Sequence, residues 1–409
     1  MIQSQARVVI VGGGIAGASI AYHLAKLGWR DVAVVEKGEL VSGTTSHAPG
    51  LVGQLRSAAS LTKMLMYSVE LYRTLRVDGA PGFFEVGSLR LASSKQRLEE
   101  IKRQAAFARG VGLESHLLSA REAADLFPLM SLQGIEGALF VPSDGSATAP
   151  VLAQAMINEA SAMGVSFRPR TRVRAIETAN GSVRAIDTTV GRIETEIIIV
   201  ATGIWSPLVG RLAGVAIPLI PMQHQYAATA PLAELAGRSV PNLRDPDKLI
   251  YMRQSESSLV IGGYERNPRP FRAEAIPDRR DPTVQSFNAL HFEQLRRAAV
   301  ERVPVIGSAE MAKQVNGLES FTPDGEFLLG PSNSLKGFWV ACGFCAHGVS
   351  GAGGVGKVLA EWIVEGKPSV DLSGTEIDRF GDRAADASFI EREACRVYGT
   401  YYDIREPAR

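Results

Sequence analysis

A chain of 409 residues, 45% hydrophobic and 21% charged, has the make-up of a globular protein and the length for two or three domain-sized units. Lysine and arginine number 44 against 43 acidic residues, so a net charge of +1 excludes a global field for nucleic acid or an anionic membrane. Three cysteines exclude a disulfide framework and point to a reducing, cytoplasmic compartment; no apolar run approaches the roughly 20 residues that span a bilayer, and no secretory signal is read before the first strand.

Residues 7–11 are a β-branched run that reads as a parallel strand buried on both faces. Gly12, Gly14 and Gly17 then satisfy G-x-G-x-x-G, with Ile15 and Ala16 inside the motif. Residues 18–27 are rich in helix formers and stop at Gly28, and a strand at 32–35 leads to Glu36, nineteen residues past Gly17. The first glycine permits a tight turn, the second lets a pyrophosphate approach the backbone, and the third packs helix on strand. The helix N-terminus turns its N–H groups toward the phosphates, and an acid about 20 residues on binds a ribose hydroxyl. Strand, glycines, helix, strand and acid in register point to a dinucleotide without choosing between NAD and FAD.

The loop SGTTSHAPGLVGQLR, residues 42–56, places His47 among small residues. After it the pattern predicts a helix over 61–75, a strand over 83–92 and a helix over 95–109. A helix over 119–126 has Ser119 as N-cap and Glu122 at the capping-box position. A strand at 139–141 and a turn at 142–145 precede a helix over 149–163. A meander follows (171–177, 183–188, 192–196) with Asn180-Gly181 as its hairpin turn, and the strand 196–200 runs into Ala201-Thr202-Gly203-Ile204-Trp205. A βαβ start, a meander and a strand ending in A-T-G is the order of glutathione-reductase-like FAD domains, and this favours FAD.

Between 218 and 311 prolines cluster around antiparallel strands (223–229, 249–253, 258–264) and a helix (287–300). The chain then returns to a buried strand at 337–341, a glycine-rich run at 342–357 and a helix over 355–364, which can aim a second helix N-terminus at a flavin ring. The predicted fold is α/β: an FAD-binding Rossmann domain (1–82, 145–217 and 312–372) with an inserted antiparallel-sheet substrate domain (83–144 and 218–311). Residues 373–409 read as a charged, aromatic tail that packs outward or onto a partner. Cys342-x-x-Cys345 has no second pair, so it reads as structural, and no metal site is expected.

The stretches VVIVGGGIAGASIAYHL, SGTTSHAPGL, VPSDG, PMQHQY, NGLESFTPDGEFLLG and GGVGK resemble the sarcosine and dimethylglycine dehydrogenase/oxidase family of D-amino-acid-oxidase-like flavoproteins, over nearly the whole chain. The likeness is greatest to the flavin domain of dimethylglycine oxidase. The resemblance implies FAD bonded through its 8α-methyl group to His47. It implies oxidative N-demethylation of a small secondary or tertiary amine, an N-methyl amino acid for example. Hydride passes to flavin N5, and the imine hydrolyses to formaldehyde and the demethylated amine. His224 and Tyr251 match the family's histidine and tyrosine over the substrate face.

Cofactor contacts are expected from Lys37, Thr45, Ser46, Ala48 and Leu51, and from Val173, Ala201, Gly203 and Trp205. His347 and the backbone from Gly348, Val349 and Ser350 to Gly351 are expected at the N1–C2=O edge, where oriented donors stabilise developing charge.

Some features depart from the family. The flavin-anchoring cysteine of monomeric sarcosine oxidases has no counterpart, and their substrate-carboxylate lysine falls near Ser350. Arg56 and Arg253 are the candidate clamps instead. The family's folate-binding region would begin near residues 401–404, so folate chemistry is expected to be absent or to lie on a separate subunit. O2 or an electron-transfer protein would reoxidise the flavin. Two other readings stand beside this one: oxidation of an unmethylated amino acid, as in glycine or D-amino-acid oxidases, and a non-autonomous flavin-carrying subunit of a larger complex.

Overall fold

The structure, a computed structural model, describes residues 4–277 and 284–404; the last five residues of the expected tail lie outside this range. Among the described residues the strands form a six-stranded sheet, a nine-stranded sheet and three smaller ones. The six-stranded sheet runs Ser166–Arg168, Val32–Val35, Val8–Val11, Ile197–Val200, Phe338–Cys342 and Leu328–Pro331; all neighbours are parallel except the last pair. Val8–Val11 and Val32–Val35 are buried throughout, as continuous β-branched runs in a sheet covered on both faces should be.

The glycine-rich run differs from expectation. Its helix is Gly348–Glu365 and includes the glycines, whereas the sequence placed its start at 355. Glycine disfavours a helix by about 1 kcal/mol per residue relative to alanine. Here close packing outweighs that preference. A Cβ at Gly354 would stand 2.1 Å from the Met64 carbonyl oxygen, and one at Gly356 2.1 Å from Ser19 Oγ. The helix therefore lies backbone to backbone on Ala59–Tyr72 and Ile15–Lys26.

The nine-stranded sheet runs Val284–Gln285, Met311–Phe321, Ile220–Thr229, Ser258–Gly263, Ile250–Ser255, Asn242–Asp245, Ser88–Ala92, Gly137–Val141 and His116–Leu118. Alternation divides its faces. Leu243, Ile250, Met252, Leu259 and Ile261 form a core with the helix Ala289–Arg302. The opposite face carries His224, Tyr226, Arg244, Tyr251 and Glu319 toward the six-stranded sheet's side of the molecule.

Other expectations change as well, while the meander keeps its predicted order and turn. The strand predicted over 83–92 breaks at Gly87, which adopts φ 75°. Phe83–Glu85 pairs with Gly145–Ala147, which also pairs with Leu51–Val52 where only a turn was read, while Ser88–Ala92 joins the large sheet. Met311–Phe321 is bonded within the large sheet, so the division expected at 312 falls inside one of its strands. The meander is Val173–Ala179, Ser182–Thr188 and Gly191–Glu194, a separate sheet whose Asn180 and Gly181 both have positive φ, as their hairpin turn requires. The described part of the tail, to residue 404, does not pack outward. Its helix Ala387–Gly399 brings Tyr398 and Tyr402 into a buried aromatic cluster with Phe321, Tyr251 and Tyr264.

Candidate functional site

A cavity of about 920 Å³ runs between the two main sheets. Gly12, Gly14, Ile15 and Ala16 line one end with Glu36 and Lys37. Gly12 has φ +114°, and a Cβ there would lie 2.5 Å from the Ala201 carbonyl oxygen. The Ile15 N–H donates to Thr45 Oγ1 at 3.1 Å, which ties the His47 loop to the first helix turn. The two Glu36 carboxylate oxygens accept the Gly13 N–H (2.9 Å) and the Gly38 N–H (2.8 Å), fixing the acid at the strand end. Lys37 Nζ sits 3.8 Å from the centroid of the Trp205 ring, a cation–π contact on the cavity wall.

Thr45, Ser46, His47, Ala48 and Leu51 line the middle, with Val173, Ala201 and Gly203 facing them. Two expected contacts are placed elsewhere. Gly17 is absent from the cavity wall; a Cβ there would lie 2.0 Å from the Gly12 carbonyl oxygen, so its role is helix-on-loop packing. Ser350 is buried and donates from Oγ to the Leu51 carbonyl at 3.3 Å, behind the wall that His347, Gly348 and Val349 form.

The His47 ring rests on Gly317 of the large sheet, where a Cβ would approach Cδ2 to 2.5 Å. Tyr226 Oη donates to the His47 carbonyl at 3.0 Å, and Thr44 Oγ1 to the Leu318 carbonyl at 3.2 Å. The loop is thus pinned to the sheet on both sides of the histidine.

At the far end His224 Nε2 meets Tyr251 Oη at 2.7 Å, and Nδ1 meets Tyr398 Oη at 3.1 Å. Tyr264 packs on the His224 ring with centroids 4.7 Å apart. Glu319 Oε1 lies 3.5 Å from Nδ1. Burial pulls the His224 imidazole down to about 4 and holds it neutral. Burial, with the Glu265 carboxylate nearby, pushes Glu319 up to about 8. The Tyr251 phenol is raised well above its usual range by the same desolvation.

These opposite shifts have opposite effects on stability. Glu319 keeps its proton to about 8 in the folded chain and loses it near the ordinary value of 4.5 when unfolded, so folding is favoured below that window and loses support as pH rises through it. For His224 the unfolded chain binds the extra proton, so stability is present above 6.5 and falls as pH drops toward 4. Glu319→Gln is therefore expected to gain on the wild type between pH 5 and pH 9, by at most roughly 4–5 kcal/mol. The difference in thermal midpoint across that range is the measurement; a constant difference would mean that Glu319 titrates as an ordinary carboxyl.

The proposed clamps do not reach the cavity. Arg56 turns its guanidinium to His347, whose Nε2 also meets Tyr401 Oη at 3.0 Å. Arg253 is held by the carbonyls of Pro49 and Gln254. Arg244 lines the cavity instead, with Tyr264, Tyr401 and Tyr402. Arg244, Gly317, Glu319 and the C-terminal tyrosines were not read as site residues. The spacing of Gly317 and Glu319, two apart on a strand, would have put both on one face once His47 was placed against the first. The thiols of Cys342 and Cys345 are pushed up to about 12 by burial, which suits packing and not redox chemistry. Among the described residues no group of three potential metal ligands occurs, and no helix is long and apolar enough to cross a membrane.

Known proteins resemble the chain over nearly its whole length. Human mitochondrial sarcosine dehydrogenase is 35% identical over 99% of this chain and 45% of its own length. Mouse mitochondrial pyruvate dehydrogenase phosphatase regulatory subunit is 33% identical over 99% of this chain and 47% of its own. The chain thus spans about half the length of these relatives. The structure of L-proline dehydrogenase from P. horikoshii superposes with a TM-score of 0.84 at 24% identity, covering 93% of this chain and 98% of that one, a likeness of fold. Residues 365–409 match the FAD dependent oxidoreductase central domain. Residues 7–362, from the first strand to the glycine-rich helix, match the family described as FAD dependent oxidoreductase, and the chain belongs to that family.

Proposed function

We propose that this chain catalyses oxidative N-demethylation of a small secondary or tertiary amine, with FAD held by a glutathione-reductase-like domain and bonded to His47. The residues present fit FAD. The glycines at 12 and 14 leave room for phosphates at a helix N-terminus, Glu36 is fixed where a ribose would need an acceptor, and the His47 loop divides that end from the polar, aromatic one. Bound FAD supplies the acceptor for a hydride leaving the N-methyl carbon.

The chain's own residues bind, orient and exclude water. The observation that carries the reading is the His224–Tyr251 pair, buried, neutral and hydrogen-bonded at the cavity's far end. An amine must be neutral to release hydride. Neutral, buried partners disfavour the ammonium form and direct the nitrogen lone pair by hydrogen bonding. The N-terminus of Gly348–Glu365 presents N–H groups to the same cavity, where charge on a reduced ring would be stabilised.

A second reading draws on the mouse relative, named a regulatory subunit: a flavin-carrying subunit without turnover of its own. Anaerobic mixing of the FAD-loaded chain with N-methylglycine, N,N-dimethylglycine or glycine separates the cases. Bleaching of the flavin band by the methylated amines, with one formaldehyde released per flavin, is expected. Bleaching by glycine alone would favour oxidation of unmethylated amino acids, and bleaching by none of them would favour the subunit.

A further inference from the structure

A cation stands at the substrate end of the cavity. Arg244 lies on Asn242–Asp245 directly opposite Tyr251, on the face that lines the cavity. Its strand neighbours point the other way: Leu243 into the core, and Asp245 to Arg302, whose Nε lies 2.8 Å from its carboxylate. Gly53 makes room for the guanidinium, since a Cβ there would approach Nη1 to 3.0 Å.

Among the described residues no carboxylate forms an ion pair with Arg244. Asp144 is a nearby acid, but its Oδ1 accepts from the Gln54 N–H and side-chain amide, and its Oδ2 from the Ser88 hydroxyl. The other titratable groups of this end of the cavity are His224, held neutral, Glu319, protonated at neutral pH, and tyrosines. On the wall at this end no ionised carboxylate faces Arg244; Asp144, which is not on the wall, helps hold the guanidinium charged from behind it. A desolvated guanidinium in that position is completed by a planar anion with two acceptor oxygens.

We propose that Arg244 anchors the carboxylate of the substrate, so that the site takes N-methyl amino acids whose carboxylate reaches Arg244 while the amine meets His224 and Tyr251. This rests on the N-demethylation reading. It moves the anchor from the two arginines nearest the sequence motifs to one that sheet register alone brings into the cavity.

The test uses the FAD-loaded full chain and two readouts. In the first, N-methylglycine is compared with its methyl ester, which keeps the amine and removes the negative charge. The wild type is expected to need roughly 100-fold less of the acid for half-maximal flavin reduction, a ratio that collapses toward one in Arg244→Gln and is partly restored in Arg244→Lys. In the second, methoxyacetate, a carboxylate with no amine, is titrated against the flavin absorbance; the perturbation seen in the wild type should vanish in Arg244→Gln. Equal half-saturation by acid and ester in the wild type overturns the anchor and needs no variant. Unaltered methoxyacetate binding in a folded Arg244→Gln also overturns it. If no N-methyl amine reduces the flavin while methoxyacetate binding still depends on Arg244, the anchor stands and the N-demethylation reading falls.

Discussion

An alanine at Gly12 is expected to keep the chain from capturing FAD. The residue has φ +114°, and the three atoms nearest a Cβ there all belong to backbone: the Ala201 carbonyl oxygen at 2.5 Å, its carbon at 2.8 Å and the Thr202 nitrogen at 3.1 Å. None of them is free to move. The Gly12 N–H donates to the Val35 carbonyl at 2.9 Å and the Ala201 N–H to the Val11 carbonyl at 2.9 Å, so both segments are tied into the six-stranded sheet. Backbone strain of this kind is of order 1–3 kcal/mol, and displacement of the loop would add the loss of the donors proposed to hold the phosphates. A weakening of the initial, non-covalent FAD binding of at least roughly 100-fold follows from a combined penalty near 3 kcal/mol. Titration of the FAD-free chain with FAD, made in the His47→Ala background so that no bond forms, measures it. Gly28→Ala is the control, because φ is +87° there but no atom lies within 4 Å of the new Cβ. Unchanged FAD affinity in Gly12→Ala, or an equal loss of affinity in both variants, would show that the close approach to Ala201 is not what matters.

The nucleotide end was the more legible half in the sequence. Its elements are local: a buried strand, three glycines at fixed spacing, a helix and an acid are all read within thirty-odd residues. Glu36, which ends that run, lines the cavity, as does the loop from Thr45 to Leu51 that the family resemblance singled out. The substrate end is set by long-range pairing. Arg253 follows Tyr251 by two residues and shares its face by simple alternation, yet its guanidinium is drawn to the Pro49 carbonyl. Arg244 reaches the cavity only because its strand pairs with the one that carries Tyr251. No local pattern marks that pairing. The glycine-rich helix and the C-terminal segment fail for a related reason: helix propensity argues against the first and charge against burying the second. Close backbone contact and a cluster of tyrosines, both tertiary, decide otherwise.

The His47 loop is where the two halves meet, and its test is the most direct. Acid precipitation of the FAD-loaded wild type should leave the yellow colour in the pellet, while His47→Ala should release its flavin to the supernatant. Histidyl substitution of the flavin withdraws electron density and makes the ring a stronger oxidant, so the variant should also reduce more slowly with N-methylglycine, by roughly 10–100-fold or about 1.4–2.7 kcal/mol of barrier. A second variant asks whether position matters as well as identity. The ring lies on Gly317, and a side chain there would stand 2.5 Å from Cδ2 and 2.7 Å from Nε2. The loop cannot swing away without breaking the Tyr226 and Thr44 hydrogen bonds that fix it to the sheet. Gly317→Val is therefore expected to bind FAD but leave much of it acid-extractable, with the histidine intact. Release of free FAD by the wild type would remove the tether and leave the dinucleotide site untouched. Pellet-bound colour in His47→Ala would move the attachment to another residue. Full attachment in Gly317→Val would mean that the ring finds its bond without the room this glycine gives it.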